Sequence, residues 1–186
     1  MKIGVISDTH GRIDAWTKAQ KFFEGADLIV HAGDVLYHPP RLGCMEGYDI
    51  PALVEALNNS PIPIVIARGN CDAEVYEELL EMPVQSPYAL VEFEGLRIVV
   101  NHGHMLSPEQ MAALGKRLRA DVFVSGHTHI PVLEKTDSLV LMNPGSSSIP
   151  KYEYNGKLVG SVGLITDSHY RIISIDDGET LFELAR

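Results

Sequence analysis

Asp121-Val122-Phe123-Val124-Ser125-Gly126-His127-Thr128-His129 is an apolar run that breaks at a glycine into two alternating histidines. Val122 to Val124 predict a short buried strand, and the glycine ends it. In extended backbone, side chains two residues apart point the same way and sit about 6.5 Å apart at their roots. His127 and His129 are therefore expected to converge on one small volume, and two imidazoles aimed at one place point to a metal ion. Taken alone, the pair has a competing reading as a turn that carries two surface histidines. The strands upstream decide between the two readings.

Lys2-Ile3-Gly4-Val5-Ile6-Ser7 reads as a strand buried on both faces, and it delivers Asp8-Thr9-His10-Gly11 at its C-terminal end. A helix is expected from Asp14 to Glu24, with Trp16, Ala19, Phe22 and Phe23 inward, Lys18 and Lys21 outward, and Gly25 as its stop. Leu28 to Ala32 form the next strand, which runs into Gly33-Asp34. His31 lies inside that run and reads as a hydrogen-bonded core histidine rather than a ligand. Strand, helix and strand make a right-handed crossover, with both polar ends on one edge. Tyr37 to Ile50, with His38, Arg41 and Cys44, shows no periodicity and reads as a loop beside that edge. A short helix over Ala52 to Asn58 precedes the strand Ile64 to Ala67, which stops at Arg68-Gly69-Asn70-Cys71-Asp72. Asn70 reaches the same edge as Asp8 and Asp34 if the sheet is parallel.

Leu90 to Phe93 and Leu96 to Val100 flank Glu94-Gly95, a two-residue hairpin signal, so antiparallel pairing is expected in the second half. The second of these strands ends in Asn101-His102-Gly103-His104. Ser107-Pro108-Glu109-Gln110 carries a capping box, and Met111, Leu114 and Leu118 form the inward stripe of the helix that follows. After His129, strands are expected at Val132 to Glu134 and at Leu139 to Met142, the latter ending in Asn143-Pro144-Gly145-Ser146. Three more are expected within Val159 to Leu184, and Lys151 to Gly156 reads as a mobile surface loop.

The chain has 186 residues, 45% of them hydrophobic and 22% charged, enough for a single domain over 1-186 with a sizeable core. Its formal charge of -10 argues against nonspecific binding of nucleic-acid polymers or anionic membranes, which needs a basic face. The two cysteines, Cys44 and Cys71, show no metal-type spacing, and the N-terminus lacks a signal-peptide pattern. A reducing cytoplasm is the expected location. No apolar stretch approaches the roughly 20 residues of a membrane-spanning helix.

Collected, the strand ends give Asp8, His10, Asp34, Asn70, His102, His127 and His129, which are oxygen and imidazole donors suited to manganese, iron, zinc or nickel. They exceed what one ion with an open position can use and fit two ions if a carboxylate bridges. Asp34, alone on its strand end, is the natural bridge.

Asp8-x-His10, Gly33-Asp34, Gly69-Asn70-x-Asp72, His102-Gly103-His104 and Gly126-His127-x-His129 occur in this order. Together they resemble the signature of the calcineurin-like metallophosphoesterases, and finer features resemble the small bacterial phosphodiesterases among them. The resemblance implies an α/β fold, a four-layer α/β/β/α sandwich with two mixed sheets. It also implies two divalent ions, manganese first: one on Asp8, His10 and His129, the other on Asn70, His102 and His127, with Asp34 shared. A hydroxide held between the ions would attack a small phosphodiester, and a homo-oligomer is expected by analogy. Asn70 and His104 are the expected catalytic residues, although His104 fits a structural role as well. Arg68, Cys71 and Asp72 are expected in contact with substrate or behind the ligands. Cys71 stands where many relatives carry a histidine able to protonate the leaving oxygen. Its thiol reads as inert packing, which favours diesters with acidic leaving groups over monoesters. The competing reading is a noncatalytic metal-binding scaffold of the same fold. A metallo-β-lactamase-type hydrolase would need H-x-H-x-D-H, and Ile130-Pro131 follow His129 instead.

Overall fold

The computed structural model describes residues 1–37 and 45–186, so His38, Arg41 and Cys44 lie outside the described residues. Among the described residues the larger sheet orders its strands β14-β13-β12-β1-β2-β3-β4. These are β1 Lys2–Ile6, β2 Leu28–His31, β3 Ile64–Ala67, β4 Val84–Gln85, β12 Ser161–Thr166, β13 His169–Ser174 and β14 Thr180–Ala185. The second sheet runs β5-β6-β7-β9-β8, built from Ala89–Phe93, Leu96–Val100, Val122–Val124, Leu139–Asn143 and Val132–Thr136 respectively. Both sheets are mixed: β1 to β4 are parallel, and β12, β13 and β14 are antiparallel to their neighbours.

Period-two alternation builds the layers. Ile3 and Val5 of β1, Leu28 and Val30 of β2, and Ile98, Val122, Val124, Val140 and Met142 of the second sheet meet between the sheets. The opposite face of the larger sheet, with Ile6, Ile29, Ile64 and Ile66, packs on α1 (Ile13–Ala19) and α2 (Ile50–Asn58) through Trp16, Ala19, Leu53 and Leu57. The outer face of the second sheet, with Val99, Phe123 and Leu139, packs on α4 (Pro108–Arg117). The order helix, sheet, sheet, helix is the expected sandwich.

Local signals decide most element ends. Ser107 caps α4 with the full capping box. Glu94 and Gly95 both take the left-handed conformation of a two-residue hairpin turn, with φ of 48° and 78°.

Four expectations need correction. Antiparallel pairing holds for β5 with β6, β8 with β9 and β12 to β14, but not throughout the second half: β6, β7 and β9 are parallel to one another. The hairpin signal at Glu94-Gly95 fixes one strand pair, whereas β7 is reached by a crossover through α4. Lys151 to Gly156 is not a featureless loop, because Glu153–Tyr154 (β10) and Lys157–Leu158 (β11) pair across Asn155-Gly156. The helix over Asp14 to Glu24 ends as α1 at Ala19 and tightens into a 3-10 turn, Gln20–Phe23, before Gly25 at φ 71°. The α4 stripe of Met111, Leu114 and Leu118 is only half-buried, while Gly115 lies flush against Leu139. A four-residue helix, α3 (Tyr76–Leu79), was not expected.

Candidate metal centre

The parallel strands β1, β2 and β3 of one sheet and β6 and β7 of the other end on the same edge, and their last residues release the polar side chains. Asp8 N–H donates to the Gly33 carbonyl, His10 N–H to that of Asp34, and Gly126 N–H to that of His102, all at 3.0 Å. These bonds lock the ends to one another. Five site residues hold a left-handed backbone: Asp8, His10, Asp34, His127 and His129, with φ between 47° and 68°. Non-glycine residues pay about 1–2 kcal/mol for this conformation. Its concentration here marks a place where surrounding bonds over-determine the chain.

The same backbone corrects the extended-strand expectation for the two histidines. His127 and His129 both turn left-handed rather than extended, and each takes its own neighbours. His129 Nε2 lies 3.2 Å from Asp8 Oδ1, whereas the His127 ring packs edge-on at 5.3 Å from that of His102.

Asp8 Oδ1 is the focus. Around it stand the Nε2 atoms of His129 at 3.2 Å, His10 at 3.6 Å and His102 at 4.0 Å. Asp34 Oδ2 lies 3.3 Å from His102 Nε2 and 3.8 Å from His10 Nε2, and Asn70 Oδ1 lies 3.1 Å from His102 Nε2. Among the described residues, three sets offer ligand atoms within 4.8 Å of one another: Asp8, His10 and His129; Asp8, Asp34 and His102; and His10, Asp34 and Cys71. The last adds a thiol to a constellation read from the sequence as thiol-free.

Backbone carbonyls set the tautomers. His10 Nδ1 donates to the Tyr37 carbonyl at 2.7 Å, His102 Nδ1 to that of Ala32 at 2.8 Å, and His129 Nδ1 to that of Ile149 at 2.6 Å. A carbonyl only accepts, so each Nδ1 carries the proton and each Nε2 turns a lone pair inward. His10 and His129 then face each other at 3.3 Å, Nε2 to Nε2, beside a carboxylate. Such a cluster calls for a positive charge within it.

Asp8 supplies the sharper test of a cation. Its Oδ2 accepts from Ser7 Oγ at 2.6 Å and from His127 N–H at 3.0 Å, but Oδ1 is fully buried and without a hydrogen-bond partner. An orphaned carboxylate oxygen beside three inward lone pairs fits a divalent ion held by oxygen and imidazole. Without the ion, protons fill the role. Burial alone would raise the Asp8 carboxyl, yet His10 and His129 outweigh it and hold it well below the usual range. Burial likewise works against protonating His102, but Asp34 and Asp8 push it up to about 9.

The hydrogen bonds of Asp72 go to backbone N–H groups and not, among the described residues, to the ligand histidines. Its Oδ2 accepts from the N–H of Asp34 at 2.8 Å and of Gly69 at 2.7 Å, and its Oδ1 accepts from Val35 N–H at 2.8 Å. One buried carboxylate thus ties the Asp34 turn to the Asn70 turn. Asp72→Ala leaves three buried N–H groups without an acceptor and is expected to destabilise the fold by about 3 kcal/mol. An unchanged midpoint in urea denaturation would contradict that role.

Cys71 N–H donates to Asp34 Oδ1 at 2.8 Å, and its sulfur accepts from Asn70 Nδ2 at 3.2 Å. Burial first, then the charge of Asp34, pushes the thiol up to about 12. The Arg68 guanidinium pairs with Glu77. His104 is exposed, with its ring 5.6 Å from that of His102 and 6.1 Å from that of His127. His31 is a core histidine, bonded to Thr9 Oγ1 and to Gly33 N–H, with burial driving it down to about 3.

Sequence reasoning did not assign Ser146 and Ser148, whose hydroxyls both donate to the Asp8 carbonyl, at 2.8 and 2.7 Å. The Asn143-Pro144-Gly145-Ser146 turn was their only signal. Gly126 and Gly69 exist for close approach. A Cβ on Gly126 would lie 1.9 Å from Ser7 Oγ, and one on Gly69 would lie 2.2 Å from Asp34 Oδ1.

Two facing sheets with this donor cluster at their common edge define a metallophosphoesterase. The family model for the calcineurin-like phosphoesterase superfamily domain matches residues 1–159, and the chain belongs to that superfamily. Phosphodiesterase YfcE of Escherichia coli K12 is 37% identical over 187 residues, covering 100% of this chain and 98% of that protein. The solved structure of E. coli YfcE superposes with a TM-score of 0.86, over 100% of this chain and 99% of that one. A probable metallophosphoesterase of Methanothermobacter thermautotrophicus is 31% identical, covering 97% of this chain and 89% of that protein. Vps29 of Chaetomium thermophilum, 19% identical, shares the fold with a TM-score of 0.67 over 100% of this chain and 92% of its own.

Proposed function

We propose that the protein is a metal-dependent phosphodiesterase of small phosphodiesters, working with two divalent ions. Asp8, His10 and His129 would hold one ion, Asn70, His102 and His127 the other, and Asp34 would bridge them. The observation that carries the reading is the buried, unpartnered Asp8 Oδ1 facing three imidazole nitrogens whose protons are committed elsewhere. When bound, the ions would supply a hydroxide near neutral pH and positive charge for the phosphoryl oxygens, with manganese as the first candidate and iron, zinc or nickel as alternatives. About one net positive charge would remain after two carboxylates and the hydroxide, enough to draw an anionic ester into an acidic protein.

The chain's own groups do the rest. Asn70 presents its carbonyl oxygen to the His102 side of the cluster, and its amide is steadied by the Cys71 sulfur. His104, exposed beside His102 and His127, is placed to hydrogen-bond a phosphate oxygen. Burial and the charge of His102 lower its proton affinity, so it would act in the neutral form. The Cys71 thiol, held at about 12, stays protonated and is a poor acid near neutrality.

A noncatalytic scaffold of the same fold is the second reading, and the complete set of ligand positions weighs against it. The discriminating experiment screens metal-loaded protein against aryl phosphodiesters, phosphomonoesters and cyclic nucleotides. Preference for the diester is expected, whereas no turnover with any divalent ion would leave the scaffold. A reducing cytoplasm and a homo-oligomer belong to the same reading, and sedimentation as a monomer would remove the latter.

Cys71→His tests the diester preference directly. An imidazole there would add a proton donor beside Asn70, a contribution of about 10²–10⁴-fold for poor leaving groups. The ratio of monoester to activated-diester turnover is expected to rise about tenfold or more. If Cys71→Ser instead destroyed diester turnover with metals still bound, the thiol would have a direct chemical part.

A further inference from the structure

Among the described residues, three segments around the imidazole cluster carry cations: residues 10–12, 68–72 and 149–151. Arg12 is committed to Asp14 and to the Ser148 carbonyl at 3.0 Å, and Arg68 is committed to Glu77. Lys151 is exposed and has no side-chain hydrogen bond or ion pair among the described residues. Its root is nevertheless fixed. Lys151 N–H donates to the His129 carbonyl at 3.2 Å, and His129 Nδ1 donates to the Ile149 carbonyl at 2.6 Å. The ammonium therefore swings on a flexible four-carbon stem whose root is bonded to the backbone of His129, the residue whose Nε2 stands 3.2 Å from Asp8 Oδ1.

The other flank has the opposite sign. The chain leaves Asp72 into Glu74, Glu77 and Glu78, all exposed, and among the described residues only Glu77 is taken up by an arginine. Strand order separates the two flanks. The acidic segment follows β3, next to edge strand β4, whereas residues 146–151 sit over the end of β1, where Ser146 and Ser148 bond the Asp8 carbonyl. A field that changes sign across the mouth orients a substrate with unequal ends.

We propose that Lys151 binds a second anionic group on the ester substituent lying over His129. The substrate class is then a small phosphodiester with one negatively charged substituent, its neutral substituent turned toward Glu74 and Glu78. This rests on the phosphodiesterase reading and narrows its substrate.

The test uses two diesters with the same aryl leaving group, one whose retained group is neutral and one whose retained group bears a second phosphate. Both are assayed on manganese-loaded wild type, Lys151→Ala and Lys151→Glu, with metal content and melting temperature measured for each. Wild type is expected to favour the doubly anionic diester. In Lys151→Ala the ratio of the two kcat/KM values should fall about three- to five-fold, the worth of one exposed charge, mainly through KM. In Lys151→Glu it should fall further, and high salt should shrink the wild-type preference. If wild type turns over both diesters but Lys151→Ala leaves their ratio unchanged, the Lys151 proposal is overturned and the phosphodiesterase reading stands. If loaded wild type turns over neither, both fall.

Discussion

Hydrolysis of an aryl phosphodiester is expected to drop to the uncatalysed background when divalent ions are stripped by a chelator, and to return on adding manganese. Among the described residues, the thiol, imidazole and hydroxyl nearest the carboxylates are not placed to replace the ions as a source of nucleophile. Cys71, the one thiol near Asp34 among the described residues, is held protonated, and His31 is buried against Thr9 and Gly33 N–H. Ser7 donates its hydroxyl to Asp8 Oδ2 and is fully buried. Chelation should also lower the melting temperature, because binding energy specific to the folded state is lost. Full activity in metal-free protein would sink the mechanism.

Asp34→Asn is expected to be the most damaging single substitution that keeps the fold. The amide can still accept the Cys71 N–H bond that Asp34 Oδ1 accepts at 2.8 Å, and Asp72 holds the local backbone. What disappears is the negative charge 3.3 Å from His102 Nε2 and 3.8 Å from His10 Nε2. Loss of supporting partners around metal ligands typically costs about 10–100-fold in affinity or activity, and loss of a bridging ligand should exceed the upper figure. Elemental analysis should find less than the full pair of ions, with kcat/KM reduced by more than about 100-fold. Two ions per chain at unchanged affinity would show that Asp34 does not bridge.

Strands buried on both faces were legible as unbroken apolar runs, and their ends as the switch to glycine or polar residues, which is why Asp8, Asp34, Asn70 and His102 were all found at one edge. The Ser107 capping box and the Glu94-Gly95 turn were legible because each is a local arrangement with its own chemistry. Parallel pairing of β6, β7 and β9 was hidden, since a crossover leaves no local mark on either strand. Two-residue strands such as β10 and β11 are too short to show alternation. The left-handed backbone of His127 and His129 was also hidden. It is imposed by tertiary bonds such as Gly126 N–H to the His102 carbonyl, not by residue type. Nor does a sequence announce the Tyr37, Ala32 and Ile149 carbonyls that orient the imidazoles, because every residue carries one.

The central claim is that Asp8, Asp34, Asn70 and the four histidines act as a two-ion hydrolytic centre. It is tested most directly by titrating metal-free protein with manganese while following hydrolysis of an aryl phosphodiester. The account predicts no turnover without metal and a rate that climbs to a plateau at two ions per chain, with Asp34→Asn failing to reach it. A plateau at one ion per chain, or turnover before any ion is added, would contradict it.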